Sequence, residues 1–189
     1  VNSLNVDLMT LNGSKIYGPK GVGLLYRRKN VSLLPLHYGG GQEFGLRSGT
    51  ENVPGIVGLA TALELIQRGK DTVRLTSLRD YFIKRVMKTI SNVILNGHAH
   101  KRLPNNINLS FAGVEAEAVL RYLNQKKIYV STGSACSAQE ITVSHVLNAI
   151  DAKERRGSIR FTLGRGTTKK ELEVVINALQ KIISYLRKI

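Results

Sequence analysis

Residues 7–26 read DLMTLNGSKIYGPKGVGLLY. Two apolar runs, Val6 to Leu11 and Val22 to Tyr26, flank a loop of glycine, proline and small polar residues that carries a lysine. The first run predicts a short buried strand. The second predicts another, reaching solvent at Arg27, Arg28 and Lys29. Between them Tyr17-Gly18-Pro19-Lys20-Gly21 is a turn by composition. A lysine just past a strand can sit at the strand's carboxyl end, where open α/β sheets bind ligands. Held there away from bulk water, Lys15 would lose proton affinity and become an amine able to form a Schiff base. Its small polar neighbours can offer hydroxyl and backbone donors to a phosphate. Read without that context, a lysine in such a loop is a solvated surface charge.

Outward from this loop, Gly39-Gly40-Gly41 opens a second loop that continues to Asn52. A helix is predicted from Pro54 to about Gln67, with Ile56, Leu59, Ala60, Leu63 and Ile66 as its buried stripe. Gly69-Lys70-Asp71 reads as a boundary between domains, 1–69 and 70–189. Beyond it, Leu75, Leu78, Phe82, Val86 and Ile90 recur at helical spacing and predict a helix of about twenty residues. Strands are predicted at Asn106 to Phe111, Ile128 to Ser131 and Ser158 to Leu163, and helices at Glu115 to Gln125 and Val143 to Ile150. A last helix opens on Thr168 and Glu171, which have the spacing of a capping box. Leu172, Val175, Ile176, Leu179, Ile182, Ile183 and Leu186 lie along one of its faces. Alternating helices and strands make the fold class α/β.

The chain has 189 residues, 42% of them hydrophobic and 22% charged. That is enough to build a core, and it excludes disordered, collagenous and low-complexity classes. No apolar run approaches the roughly 20 residues of a membrane helix, and no targeting signal is visible at Val1 to Thr10. A start at Val1 suggests a processed or trimmed chain. Twenty-eight Lys and Arg against thirteen Asp and Glu give a net charge of +15. The basic residues are dispersed in short runs and there is no Trp, so a stacking platform for nucleic acid is poorly supplied. An acidic protein partner, or solubility, accounts for the charge better.

There is one cysteine. Cys136 has no partner for an intramolecular disulfide or a zinc site, which points to a reducing, cytoplasmic compartment and to no metal. A lone cysteine is by default a small buried hydrophobe. Here it sits in Ser131-Thr132-Gly133-Ser134-Ala135-Cys136-Ser137-Ala138, among small residues with no periodicity, as a mobile loop carrying a nucleophilic thiol would. A third segment, Ser158-Ile159-Arg160-Phe161-Thr162-Leu163-Gly164-Arg165, places Arg160 among alternating apolar residues. A charge there is costly unless paired, and a guanidinium suits a carboxylate held bidentately. The other readings are pairing with a structural Asp or Glu, or a place on the strand's solvated face.

Four blocks in order, DLMTLNGSKIYGPKGVGLLY, GGGQEFGLRSGTENV, VSTGSACS and SIRFTLGRGTT, closely resemble the cysteine desulfurases. These are pyridoxal-phosphate (PLP) enzymes of the class V aminotransferase group. The resemblance implies that Lys15 holds PLP as a Schiff base and moves protons at the substrate. It implies that Cys136 attacks the sulfur of L-cysteine and becomes a persulfide, leaving L-alanine. It further implies that Arg160 clamps the substrate carboxylate and that Asn12 and Ser14 hold the PLP phosphate. Thr50 resembles the threonine that reaches the PLP phosphate of a neighbouring subunit, which implies a homodimer. A sulfur-acceptor or iron–sulfur scaffold protein would then receive the sulfur, the whole Cys136 loop swinging to deliver it.

Two departures from the family stand out. Asn12-Gly13-Ser14 replaces the frequent Ser-Gly-His before the lysine, and a hydroxyl still donates to phosphate. The family's members are also about twice this length. The resemblance therefore implies a C-terminal half: the end of the large PLP domain at 1–69, then the small α/β domain at 70–189. The aspartate facing the pyridine nitrogen and the histidine stacking on the ring would lie in an N-terminal half, and none of His37, His98, His100 or His145 matches that histidine. Two other readings use the same residues: selenocysteine lyase chemistry, and a catalytically incomplete fragment that binds a sulfur-acceptor or scaffold protein.

Overall fold

A computed structural model describes residues 1–68, 71–132, 144–150, 152 and 155–189. The chain divides into two compact units, Val1–Gly69 and Lys70–Ile189. Among the described residues no helix is long and apolar enough to cross a membrane.

In the first unit β1 (Leu8–Asn12) pairs antiparallel with β2 (Gly23–Arg27), in a register running from Leu8 opposite Arg27 to Asn12 opposite Gly23. The apolar runs form strands as expected, but β1 is not buried. Leu8, Leu11, Leu24 and Leu25 are all exposed, because a sheet of two strands leaves both of its faces without a covering layer. Helix α1 (Val53–Arg68) follows the glycine-rich loop. Its buried positions are Gly55, Leu59 and Ala62, with Gly58 half-buried, rather than the stripe through Ile56, Leu63 and Ile66. Those three side chains are exposed. The inward face is chosen by what it meets. Leu59 Cδ1 and the Ala62 methyl lie against Gly13 and Gly18, and Gly58 lies under the Pro19 ring. Small residues on both sides let the helix approach the lysine loop closely.

The second unit is a three-stranded antiparallel sheet in the order β3-β4-β5, from β3 (Val93–Leu95), β4 (Asn106–Phe111) and β5 (Ser158–Thr162). Helices α2 (Asp71–Thr89), α3 (Ala116–Gln125) and α5 (Lys169–Leu186) cover one face. Ile107, Leu109 and Phe111 of β4 and Ile159 and Phe161 of β5 enter that core. They meet Phe82 and Val86 of α2, Val119 and Leu123 of α3, and Ile176, Leu179 and Ile183 of α5. Each fully buried apolar side chain contributes about 1.5–3 kcal/mol. Arg79 is buried with them on α2, paired with Asp80 at 2.7 Å. It donates to the carbonyls of Arg102 and Leu103 at 3.3 and 3.1 Å, tying the helix to the loop before β4.

Helix α5 opens on the capping box read from Thr168 and Glu171, with the Glu171 amide donating to Thr168 Oγ1 at 3.2 Å. A short helix α4 spans His145–Ala149; Val143, where the sequence starts it, lies outside the described residues. The strand expected at 128–131 does not form as such. Only Ser131 pairs, as an isolated bridge to Arg160. In its place β3 supplies the third strand, three residues being too short a run to stand out by periodicity.

Candidate functional site

The lysine loop is built by its glycines. The Gly13 carbonyl accepts from the amides of Ile16 at 3.2 Å and Gly18 at 2.9 Å, closing the chain on itself just past β1. Gly13 is buried, and a Cβ there would stand 3.3 Å from Gly18 Cα, Leu59 Cδ1 and the Pro19 carbonyl. Tyr17 takes a left-handed conformation with φ 64°. Such a backbone is unfavourable for a bulky L-residue and gathers at functional sites. The closed backbone presses inward on α1, so the side chains of Asn12, Ser14 and Lys15 are left outward and exposed.

Asn12, Ser14 and Lys15 stand together. Asn12 Oδ1 accepts from the Ser14 amide at 3.1 Å and from Ser14 Oγ at 2.5 Å. That pairing turns the Asn12 carboxamide so that its NH2 donor is left over. Lys15 makes no hydrogen bond or ion pair among the described residues. It is exposed, so the seclusion from water expected from sequence is not present around this side chain within the unit; a turn on a two-stranded ladder has no further layer to close over it. An amine, a carboxamide and a hydroxyl on one turn fit a phosphorylated aldehyde: the amine for the carbonyl carbon, the Asn12 NH2 as a phosphate donor, and the Ser14 hydroxyl as a second donor once it turns away from Asn12 Oδ1. By that measure the residues present suit PLP.

Thr50 lies in the turn three residues before α1 and is exposed. The loop before it is held by side chain to backbone bonds. The Gly49 amide donates to Gln42 Oε1 at 3.0 Å, the Gly41 amide to Ser48 Oγ at 3.4 Å, and the Arg47 guanidinium to the Ser48 carbonyl. Glu43, Phe44 and Gly45 are consecutive left-handed residues, with φ of 50°, 60° and 76°, and they thrust Phe44 into solvent at 98% exposure.

Arg160 belongs to the second unit, on β5, on the sheet face opposite the helices. It is half-buried. Its amide and carbonyl are both engaged by Ser131, at 2.7 and 3.1 Å, while its guanidinium has no hydrogen bond or ion pair among the described residues. Among the described residues it therefore partners no structural carboxylate, and it is not a freely solvated charge. Just beyond it, Arg165 donates to Asp71 at 2.8 Å. Arg74 donates to the carbonyls of Arg165 and Thr167 at 2.6 and 2.9 Å. These bonds pin the loop that leaves β5. The Asp71 carboxyl is held below its usual value, by the Arg165 hydrogen bond first and by Arg74 as well.

Cys136 and the loop expected to carry it fall at 133–143, outside the described residues. Asn12, Ser14, Lys15 and Thr50 thus belong to the first unit and Arg160 to the second. The polar face around Arg160 was missed at the level of sequence. Asn106, Asn108 and Ser110 alternate along β4 as Ser158, Arg160 and Thr162 do along β5. That two-residue period was the available signal, because it places all six on one sheet face. Among the described residues no group of His, Cys, Asp and Glu could hold a metal ion.

Residues 1–175 match the aminotransferase class-V family. The chain is 52% identical over 193 residues to "Cysteine desulfurase IscS" of Dictyoglomus turgidum, covering 100% of this chain and 49% of that protein. A solved "NIFS-LIKE PROTEIN" superposes with a TM-score of 0.84 at 33% identity, over 98% of this chain and 48% of its own. The structure "SspA in complex with cysteine" matches with a TM-score of 0.64 at 36% identity, over 86% of this chain and 45% of its own. The chain spans about half the length of the relatives it matches.

Proposed function

The chain belongs to the aminotransferase class-V family, and from that premise we propose that it is part of a PLP-dependent cysteine desulfurase, which takes sulfur from L-cysteine and releases L-alanine. What carries this reading is the closed loop that groups Lys15 with Asn12 and Ser14, in a chain 52% identical from end to end to a cysteine desulfurase. The similarity to a protein seen with cysteine supports the choice of substrate.

In this reading the chain is the C-terminal half of the enzyme. Residues 1–69 complete the PLP domain and 70–189 form the small domain, a division that matches the two compact units. Asn12 and Ser14 hold the phosphate. Lys15 Nζ holds the cofactor and moves a proton to and from the substrate's carbon. Thr50 reaches the phosphate of a neighbouring subunit, which makes the enzyme a homodimer. When bound, PLP supplies the electron sink that makes the substrate's carbon–sulfur bond breakable.

Arg160 binds the substrate carboxylate. Its guanidinium is half-buried with no hydrogen-bond or ion-pair partner among the described residues, and a planar fork is matched to a carboxylate. Cys136 receives the sulfur. As its thiolate attacks the substrate's sulfur, an S–S bond forms and the substrate's C–S bond breaks. The bond's electron pair passes to the substrate carbon, which takes up a proton and leaves as alanine. Cys136 is then a persulfide that passes its outer sulfur to an acceptor protein for thiolation or iron–sulfur assembly. A reducing, cytoplasmic compartment suits this chemistry, and the chain's single cysteine supports that reading.

The test is alanine and sulfide release from the complete PLP-loaded enzyme, given L-cysteine and a thiol reductant. We expect Cys136→Ala to abolish both products while PLP stays bound, and Lys15→Ala to lose the visible absorption of bound PLP. Full turnover in Cys136→Ala would overturn the assignment of the thiol.

A further inference from the structure

Arg160 sits beside a locked polar cluster. Because its amide and carbonyl both face Ser131, it forms a non-hydrogen-bonded pair with Asn108, its register partner on β4. In such pairs the Cα atoms approach to about 4.5 Å and the side chains lie close together. Ser110 and Ser158, two residues along, form the next pair of the same kind, with hydroxyl oxygens 3.0 Å apart. Asn96 completes the cluster from the end of β3. Its Nδ2 donates to Asn108 Oδ1 at 2.7 Å, Ser110 Oγ at 2.7 Å and Ser158 Oγ at 2.9 Å.

Asn108 is the member next to Arg160, and it is fixed at one end only. Its Oδ1 accepts from Asn96 and from Ser158 Oγ at 3.0 Å, which settles which end of the carboxamide faces the cluster. Its Nδ2 has no partner among the described residues. Asn96, Ser110 and Ser158 are buried, whereas Asn108 and Arg160 are half-buried. The cluster is thus anchored in the sheet and ends at the arginine.

We propose that Asn108 is a positioning residue for Arg160. Held by Asn96 and Ser158, it forms a rigid, uncharged flank that keeps the guanidinium on the face where a substrate carboxylate is bound. An arginine with no ion-pair partner among the described residues has many rotamers to lose on binding, and a fixed neighbour on one side with the Ser131 bridge on the other reduces that loss. The amide is also neutral, so it leaves the positive charge unspent. This rests on the reading of Arg160 as the substrate-carboxylate site.

The informative variant is Asn108→Asp in the complete PLP-loaded enzyme. An aspartate keeps the acceptor for Asn96 and Ser158, so the thermal midpoint should stay within about 2 °C. It also sets a carboxylate beside Arg160 to compete with the substrate's. The expected result is a rise of about tenfold in KM for L-cysteine with kcat changed by less than about twofold. In an Arg160→Ala background the same change should have no further effect on KM, an interaction that a merely structural residue would not show. If Asn108→Asp does not fold, Ser158→Ala, which removes one of the two donors to Asn108, should raise KM by about threefold. An unchanged KM in a folded Asn108→Asp, while Arg160→Ala raises it, overturns the role of Asn108 and leaves the arginine's. An unchanged KM in Arg160→Ala removes the carboxylate assignment, and Asn108 falls with it.

Discussion

Gly58 and Gly157 show how single hydrogens position whole loops. A Cβ on Gly58 would stand 2.5 Å from Pro19 Cγ, and one on Gly157 would stand 2.1 Å from the Phe111 carbonyl oxygen. The first neighbour is a ring on the loop that carries Lys15. Gly58→Ala should therefore displace that loop and weaken PLP binding several-fold, as an equilibrium titration of the cofactor would show, with little effect on unfolding of the second unit. The second neighbour is backbone in a central strand and cannot give way. Gly157→Ala should cost about 1–3 kcal/mol, visible as a lower denaturant midpoint. Neither glycine stands out in the sequence, since what makes each necessary lies tens of residues away.

Among the elements, α5 was the most legible and α1 the least. Thr168 and Glu171 cap α5 by contacts three residues apart, which sequence spacing can state completely. Thr168→Ala should cost about 1 kcal/mol in chemical denaturation. Glu171 titrates below its ordinary value of 4.5, held there by the Thr168 amide first and its hydroxyl second. A carboxyl lowered in this way stabilises the folded state above its unfolded value, and that contribution is lost as pH falls through the folded one. Acid should therefore fray the start of α5, and amide protection at residues 169–172, taken against the intrinsic exchange rate at each pH, should fall below about pH 4.5, more weakly in Thr168→Ala. Helix α1 offers apolar residues all round, so periodicity alone could not choose its inward face. The choice was made by Gly13, Gly18 and Pro19, which admit only the Gly58, Leu59 and Ala62 side.

Across the whole molecule the two units differ in how they are held. The second buries a core running from Phe82 to Ile183. The first buries Leu59 and Ala62 as its only large or small apolar side chains among the described residues, while Leu34, Leu36 and Tyr38 are at least 80% exposed. A fragment of 70–189 should fold alone with a single cooperative thermal transition, whereas 1–69 alone should show none, a two-stranded ladder and one helix being too little to order a chain. Circular dichroism of the two fragments would decide it, and cooperative melting of 1–69 would contradict this account.

The chain by itself determined the α/β alternation, the helices of the second unit, the capping of α5, and the grouping of Asn12, Ser14 and Lys15, because each depends on residues within a few positions of one another. Tertiary structure alone decided that β1 stays exposed, that α1 turns its small residues inward, and that Arg160 is flanked by Asn108 on one side and bridged to Ser131 on the other. Those outcomes depend on strand register and close backbone approach between residues 11 to 52 positions apart in sequence, distances at which no local pattern of hydrophobicity or spacing carries information.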